Sequence, residues 1–439
     1  MKVYNLILAF LIVPFVCFSQ ASIGSLSMEE AINLALENNY DIKISENNKE
    51  ILDNNAVKAN ADYLPSISFS GSYNYQNQSV YSEFASDQVA PIDRAGAGTQ
   101  SINAGLNLNY TIYSGGSRKY TFERLKNESL LGELQQRQSM EATIASVLLQ
   151  YLNLINFYKS YLINQESVLL SNDRYIRVKE SYNYGNISKL ELLNAQVDLS
   201  NDSSNLVQSR LDFIKGKSEL NQIMGIDPGT EYSIDTTIQI DMNLDMEEFI
   251  NKALDKNSLY LAQKVSTQSN VQDLKINNAQ KLPNLSLSGG YSFSRQDIEA
   301  GFITQTENLG WNAGLTLSYN IFNGNRVNRN EQNAKILIEN QEINTARIEN
   351  QVKKDIYNAY EDYEAGKSLI SLRKSNLELA EANYERSVEA FSGGQITGIE
   401  LREAQLNLLN AKYSLSLQKL QTKIAEVNLY RLSGSLIED

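Results

Sequence analysis

The sequence predicts an α plus transmembrane-β fold in which a tandem-duplicated unit supplies four β-strands and long antiparallel α-helices. Three observations carry this prediction. The second half of the chain repeats motifs of the first half in the same order, short segments alternate between apolar and polar residues, and long stretches without proline show helical periodicity. Each element of the first unit therefore has an expected counterpart in the second.

The composition removes several kinds of catalytic and binding site. The 439 residues include no His and one Cys, which excludes a histidine general base, a Ser–His–Asp triad and a histidine-ligated zinc. The formal net charge of −13 argues against binding to a phosphate backbone, so no nucleic-acid partner is expected. Carboxylates are scattered along amphipathic segments and form no recognisable constellation. We expect no enzyme activity, no cofactor and no metal site.

Residues 1–19 are predicted to be an export signal. Lys2 precedes an apolar run from Val3 to Phe18, and the small residues Cys17 and Ser19 have the spacing of a signal-peptidase site. The alternative is a transmembrane anchor, but the run has 16 residues, whereas about 20 are needed to cross the hydrocarbon. Because Cys17 lies inside this segment, the mature chain has no thiol.

The internal duplication defines the organisation of the chain. Met28–Ile32 aligns with Met246–Ile250 at an offset of 218 residues, and from Leu106 onward the offset is 209, so that Gly185 aligns with Gly394. The change of nine residues falls between two strand segments, where a loop tolerates it. The predicted organisation is a signal peptide (1–19), a first repeat (20–224), a linker (225–245) and a second repeat (246–439).

The elements of the two repeats are predicted from their periodicities. The first repeat should contain helices over 27–62, strands at about 66–76 and 100–112, a long helix at about 117–181 and a helix at about 188–224. The second should contain helices over 246–281, strands at about 284–294 and 308–322, a long helix at about 326–390 and a helix at about 396–433. The helices carry apolar positions three and four residues apart, which indicates packing rather than a binding site.

The strand segments have one apolar and one polar face. Ile67, Phe69 and Tyr73 alternate with serines in the first of them, and each run approaches the roughly 9–11 residues with which a tilted strand crosses a bilayer. The alternative is an antiparallel sheet whose apolar face covers a soluble core. The small uncharged residues of the polar face suit a water-filled lumen, and the Tyr and Trp residues of the other face suit a lipid interface.

Four strands cannot stand alone in lipid, because an open sheet leaves edge N–H and C=O groups unpaired. Known membrane barrels begin at about eight strands, so other copies of the chain must complete the sheet. A dimer is the minimum. Three copies would give twelve strands and twelve helical rods continuous with them.

These features resemble the TolC family of outer membrane efflux channels. The resemblance rests on the tandem unit, the Leu-Pro-Ser/Asn opening of the strands, the strand-to-helix turns Tyr113–Gly116 and Phe322–Asn325, and the tip segments Tyr182–Ile187 and Phe391–Ile396. It implies a homotrimer with a 12-stranded β-barrel in the outer membrane of a Gram-negative cell, continuous with a periplasmic α-helical barrel, and an equatorial region that includes the linker.

The resemblance also implies the function of a passive exit channel in a tripartite efflux or type I secretion system. Its partners would be a periplasmic adaptor (membrane fusion) protein, an inner membrane pump or ABC exporter, and outer membrane lipid. Drugs, metal ions and proteins all leave through similar conduits, so the substrate stays open. The alternative function is a trimeric coiled-coil surface or adhesion protein, which would carry its strands at one chain end rather than between helices.

A gate is implied at the periplasmic tip of the helices. Matching the tip motif places acidic rings at Glu400 and Glu403, with Glu191 as the first-repeat equivalent, and gate aromatics at Tyr182 and Phe391. The alternative is that each carboxylate is a solvated surface residue and that each aromatic side chain has only a packing role. On a threefold axis, a ring of carboxylates would attract cations.

Two further expectations concern the same tip. Ile396 stands where the family has a tethering basic residue, so Lys189 or Arg402 would have to substitute for it. The residues expected to contact the adaptor are Tyr184, Gly185, Ser188, Gly394 and Thr397.

Overall fold

The computed structural model describes residues 24–85 and 88–437, and the predicted signal peptide lies outside them. The first repeat contains β1 (Ser25–Leu26), α1 (Met28–Asn38), α2 (Tyr40–Asn55), β2 (Ser66–Ser82), β3 (Ile92–Ser114), α3 (Ser117–Asn183) and α4 (Lys189–Met224). After β4 (Ser233–Ile234), the second contains α5 (Met246–Lys256), α6 (Ser258–Ala279), β5 (Asn284–Ile298), β6 (Gln305–Ser318), α7 (Arg326–Ser392) and α8 (Gly398–Leu432).

The short helices are interrupted at equivalent asparagines. The helices expected over 27–62 are separated at Asn39, and the helices expected over 246–281 are separated at Asn257. Both residues have extended backbone angles, with ψ of 133° and 113°, which a continuing helix does not allow. Each asparagine therefore ends one helix before the next begins.

The four long strands form one antiparallel sheet in the order β2-β3-β5-β6. One row across it consists of Phe69, Leu106, Tyr291 and Trp311, each paired with the next. Because successive side chains point to opposite faces, adjacent rows on the other face are polar, such as that of Ser68, Asn107, Gly290 and Asn312. The alternation predicted from sequence therefore produces one continuous apolar face and one polar face.

The strands differ in length from the sequence prediction. β2 continues to Ser82 and β3 begins at Ile92, so this hairpin is longer than expected. β6 begins at Gln305 but ends at Ser318, four residues before the expected end at Phe322. Residues 76–78 of β2 are Gln-Asn-Gln, so the alternation of apolar and polar residues has ended there. These residues nevertheless remain paired with β3.

The chain divides into two compact units that cut across the sequence repeats. Of the described residues, one unit comprises 24–39, 143–242 and 361–427, and the other comprises 40–85, 88–142, 243–360 and 428–437. Each unit therefore contains segments of both repeats, and the duplication and the compact units are different divisions of the chain.

The core of the first unit surrounds the fully buried Tyr151 of α3. Its hydroxyl donates to the carbonyl oxygens of Leu26 (2.7 Å) and Asp235 (3.1 Å). Since Leu26 belongs to β1 and Asp235 follows β4, the hydroxyl joins the two strands of the small parallel sheet. Leu154, Leu220 and other apolar side chains complete this cluster.

In the second unit, side chains of α3 and of the short helices meet around Glu141. Its carboxylate accepts a hydrogen bond from Ser258 (2.7 Å) and is paired with Arg137 (3.0 Å). Nearby, Phe249 of α5 meets Tyr430 edge to face at 5.3 Å. Among the helices of residues 24–85 and 88–437, none combines the length and the hydrophobicity that a membrane crossing requires.

Candidate functional site

Two tight turns form the helical tip, one between α3 and α4 and the other between α7 and α8. Gly185 and Gly394 occupy them with φ of +77° and +71°. A Cβ added at either glycine would meet no more distant part of the described chain within 4 Å, so the left-handed backbone rather than a lack of space requires glycine. Both predicted turn residues therefore reverse the chain direction at equivalent places.

Ser188 and Thr397 are the N-caps of the two helices that leave these turns. The Ser188 hydroxyl accepts from the Glu191 N–H at 3.3 Å, and the Thr397 hydroxyl accepts from the Glu400 N–H at the same distance. The Glu400 carboxylate in turn accepts from the Thr397 N–H (2.7 Å), which completes a capping box. These hydrogen bonds, from the backbone of Thr397 first and then its hydroxyl, lower the pKa of Glu400.

The structure places the other predicted site residues around the same tip. Glu403 is exposed one turn after Glu400 on α8, and Tyr184 is 82% exposed. Glu191 and Phe391 are half-buried and line one groove of about 300 Å³. Tyr182 lies near the end of α3 and is exposed. The predicted site residues therefore include side chains that face the solvent and side chains that line the groove. Among them, only Thr397 and Glu400 donate hydrogen bonds to each other.

A charged cluster that the sequence analysis identified only through Arg402 joins three helices behind this groove. The guanidinium of Arg402 on α8 forms a forked pair with Asp202 on α4, at 2.7 and 2.8 Å. Ser171 on α3 donates to the same carboxylate and accepts from Arg402 at 3.1 Å. Gln405, one turn beyond Arg402, donates to Ser171 at 3.1 Å.

A second ion pair, between Arg174 of α3 and Asp198 of α4, lies beside the first. Arg174 also donates to the carbonyl oxygen of Gly398, at the start of α8 (3.2 Å). Its Nε atom is buried without a hydrogen-bond partner in the described part of the chain. The Arg402–Asp202 ion pair connects α8 to α4, and the hydrogen bond from Arg174 to Gly398 connects α8 to α3.

The electrostatics of the cluster favour the charged forms of both partners. Burial raises the pKa of Asp202, but hydrogen bonds from Arg402 and Ser171 and the charge of Arg402 outweigh it, so the pKa is lowered. Burial lowers the pKa of Arg402, but its hydrogen bonds to Asp202 and the charges of Asp202 and Asp198 raise it overall. A buried forked pair of this kind fixes the relative position of the helices that carry it.

Sequence reasoning missed Asp198, Asp202 and Arg174. Asp202 lies seven residues after the buried Ala195 and seven before the buried Ser209, on the side of α4 that faces inward. A buried carboxylate is a signal for a charged partner, but the burial of Asp202 could not be read from the sequence, because the neighbouring buried positions are the small residues Ala195 and Ser209. The identity of the partner was not readable either, because Arg402 lies 200 residues further along the chain.

The chain matches a known family and known structures. The family described as "Outer membrane efflux protein" matches residues 31–226 and 249–435. The outer membrane efflux protein BepC of Brucella suis is 19% identical over 420 residues, covering 95% of this chain and 88% of that protein. The TolC protein of Escherichia coli is 21% identical over 438 residues, covering 94% and 85%. Against TolC of Vibrio cholerae, a match of 203 residues at 25% identity covers 45% of this chain and 44% of that protein.

Solved structures support the same fold. The Campylobacter jejuni CmeC outer membrane channel superposes with a TM-score of 0.77 at 18% identity, covering 94% of this chain and 86% of that one. CusC superposes with a TM-score of 0.75 at 17% identity, covering 93% and 92%. The predicted fold class and the resemblance to the TolC family are thereby confirmed. The chain belongs to the outer membrane efflux protein family, whose channels lie in the outer membrane with a periplasmic helical barrel.

Proposed function

We propose that three copies of this chain form a passive exit channel of a tripartite efflux or type I secretion system. The observation that carries the proposal is the open sheet. Among the described residues, β2 and β6 each pair with one neighbouring strand only, and the apolar row between these edges is exposed, with Phe69 at 72% and Trp311 at 79%. In lipid, such edges require strands from other copies, and three copies supply twelve.

The polar face of the sheet supports a water-filled lumen. Asn103 donates to Ser72 at 3.3 Å, and Asn107 donates to Ser70 at 3.2 Å. These side chains are small, uncharged and exposed, so they leave space for water and impose no charge barrier. A conduit of this type conducts without any catalytic group, as the channel proteins of the family do.

The gate belongs at the helical tip. Glu400 and Glu403 are exposed on one side of α8, and the lowered pKa of Glu400 keeps it ionised. In a threefold assembly, each would form a ring of three carboxylates that attracts cations. Glu191 and the aromatics Tyr182 and Phe391 complete the proposed gate at the same end.

The lock of this gate involves Arg402 rather than Lys189. Arg402 donates two hydrogen bonds to Asp202. Ile396, at the position where the family has a tethering basic residue, carries no charge. We assign to the Arg402–Asp202 pair the role of holding α8 against the first-repeat hairpin.

The periplasmic adaptor is proposed to dock at Tyr184, Gly185, Ser188, Gly394 and Thr397. Ser188 and Thr397 are exposed, and single cysteines there would be the only thiols of a mature chain from which residues 1–19 are removed. Cross-linking of Ser188→Cys or Thr397→Cys to a co-expressed adaptor supports this docking. Labelling confined to positions far from the tip contradicts it.

The test of the proposed function is the mass and the conductance of the detergent-purified protein. A trimer that forms ion-conducting pores in planar bilayers is the expected result. A monomer that stays in solution without detergent and forms no pores refutes the proposal. A trimer without pores would favour the coiled-coil surface protein instead.

A further inference from the structure

Charged residues are distributed unevenly between the two ends of the four-stranded sheet. The helical end comprises the twelve residues next to each long strand, which are 54–65, 115–126, 272–283 and 319–330. These segments contain nine Lys and Arg against three Asp and Glu. The loop end, formed by residues 76–99 and 294–307, contains two Arg against six Asp and Glu. Because the whole chain has a formal net charge of −13, the helical end is a basic region on an acidic protein.

Most cations of this basic region are available to an external anion. Three of the nine form ion pairs with nearby carboxylates, and these are Arg124, Lys126 and Lys281. Within residues 24–85 and 88–437, the other six form no ion pair. They are Lys58, Arg118, Lys119, Lys275, Arg326 and Arg329, and all of them except the half-buried Arg118 are exposed.

Arg118 lies at the level where the apolar face of the sheet ends. The Cζ atom of its guanidinium is 5.1 Å from the centre of the Tyr63 ring and 5.9 Å from that of Tyr110. Tyr110 belongs to the apolar face, in a row with Leu287 and Leu315. Tyrosine and arginine side chains at the end of an apolar band are typical of the boundary between hydrocarbon and headgroups.

The first turns of α3 add further cations beside Arg118. Lys119, Phe122 and Lys126 are three and four residues apart, which places them on one side of the helix. The Lys126 Nζ atom is 4.5 Å from the centre of the Phe122 ring, and this ring meets that of Tyr63 edge to face at 6.4 Å. Helical side chains tilt toward the helix N-terminus, which here is the end next to the sheet. The Lys126 ammonium therefore points back toward the membrane.

The heights of these side chains match the headgroup layer, which is about 5–8 Å thick on each side of the hydrocarbon. Since α3 begins at Ser117, a rise of about 1.5 Å per residue places the Cα of Lys119 about 3 Å along the helix and that of Phe122 about 8 Å. Lys126 starts one turn further on, but its ammonium returns to the level of the Phe122 ring. The cations therefore lie where lipid phosphates lie.

We propose that this basic region binds the phosphate groups of anionic phospholipids in the leaflet of the outer membrane that faces the periplasm. The inference rests on the proposed function, because it requires the sheet to lie in the membrane, and it adds the chemical class of the lipid and the residues that bind it. Near Arg118, the neighbouring acidic residues are Asp62 and Glu123, and Glu123 is already paired with Lys126 at 3.2 Å. The attraction is electrostatic, so salt weakens it.

The test is the melting temperature of the purified full-length protein in uncharged detergent micelles that contain added phosphatidylglycerol or phosphatidylcholine. Phosphatidylglycerol should raise the melting temperature more than phosphatidylcholine does. The triple variant Lys58→Gln, Lys119→Gln and Lys126→Gln should lose most of this difference. Arg118 is left unchanged, because it also donates to the carbonyl oxygens of Thr111 and Ile112, at 2.6 Å each.

A second triple variant is the matched control. Lys43→Gln, Lys215→Gln and Lys374→Gln removes the same number of charges at exposed positions outside the basic region, and it should keep the full preference for phosphatidylglycerol. Equal losses in the two triple variants, or a parent protein without this preference, overturn the inference. Equal stabilisation by free glycerol phosphate at the same concentration would show a site for soluble anions and would also overturn it.

The mass and the conductance of the same preparations separate the two possible failures. The parent protein and both triple variants should be trimers that form pores in planar bilayers, because the substituted lysines take no part in closing the sheet. Pore-forming trimers without a preference for phosphatidylglycerol overturn this inference and leave the proposed function standing. A monomer that forms no pores refutes the proposed function, and the inference fails with it.

Discussion

The side-chain amide of Asn257 donates to the carbonyl oxygen of Leu432 at 2.9 Å. Asn39 makes the equivalent hydrogen bond to Ile223 at 2.8 Å. The two donors are 218 residues apart and the two acceptors are 209 residues apart, which are the two offsets of the sequence duplication. Each asparagine separates two short helices and ties the break to the end of a longer helix, so the repeats share this detail of their three-dimensional structure.

Asn257→Ala should destabilise the protein by about 2 kcal/mol. The substitution removes the bond to Leu432 and the cap that the Asn257 side chain provides to the Tyr260 N–H, each worth about 1 kcal/mol. Urea denaturation followed by circular dichroism measures the loss. Asn201→Ala, at an exposed position of α4, is the control and should change little. Equal effects of the two substitutions would contradict the assigned role.

Arg402→Met should destabilise the tip by about 3–5 kcal/mol, because it leaves Asp202 buried and unpaired. Adding Asp202→Leu should recover most of the loss, since an apolar pair carries no desolvation penalty. Limited proteolysis at the tip and thermal melting of both variants measure the effect. A double variant as unstable as Arg402→Met alone would show that the charges are not the cause.

The contribution of Asp202 should disappear in acid. Its pKa is lowered from the usual 3.8 in the folded protein, so the stabilisation is present above about 3.8 and is lost as the pH falls through the folded value. Thermal melting of the parent protein and of Asp202→Asn should therefore converge at low pH. A difference that stays constant down to strongly acidic pH would exclude titration of this group.

Charge reversal at Glu400 and Glu403 should lower the preference of the channel for cations. Reversal potentials in planar bilayers under a salt gradient measure it. Glu400→Gln with Glu403→Gln is the gentler variant, because glutamine keeps the acceptor oxygen of the capping box. Glu378→Lys with Glu381→Lys, which has the same spacing on the exposed surface of α7, is the matched control. An unchanged reversal potential in the Glu400/Glu403 variants counts against the ring.

Trp311→Arg should impair insertion more than Asn312→Arg does. Trp311 lies on the apolar face of β6 and Asn312 on the polar face, and an arginine facing lipid costs about 2–4 kcal/mol at the bilayer midplane. Refolding yields into phospholipid vesicles, read from the altered mobility of unheated samples, compare the two. The reverse order of yields would mean that the faces are assigned the wrong way round.

The sequence predicted the faces of the sheet because the alternation of apolar and polar residues along a strand is local and fixes the face on which each side chain lies. It underestimated the length of β2, because residues 76–82 do not alternate between apolar and polar side chains. Their extended conformation depends on pairing with β3. The sequence predicted helices in both segments but did not place the breaks at Asn39 and Asn257, for a related reason. Helical periodicity continues on both sides of each break, and the hydrogen bond that fixes it goes to a residue more than 170 positions away.

The tip shows the same division between local and distant information. The capping roles of Ser188 and Thr397 follow from a serine or threonine three residues before a glutamate, a pattern that is readable from sequence. Only the fold brings Asp202 to Arg402. The sequence offered Lys189 and Arg402 as substitutes for the missing basic residue, and only the positions of the helices show that Arg402 is paired with Asp202.

α3 and α7 both contain 67 residues, although the loops between the strands differ in length between the repeats. An insertion in one long helix would shift every later side chain out of register with its neighbours. A relative that spans a wider periplasm would have to lengthen both helices, and their returning partners, by the same number of whole heptads. Evolution can therefore vary the loops one residue at a time, but it must change the reach of the helices in matched steps.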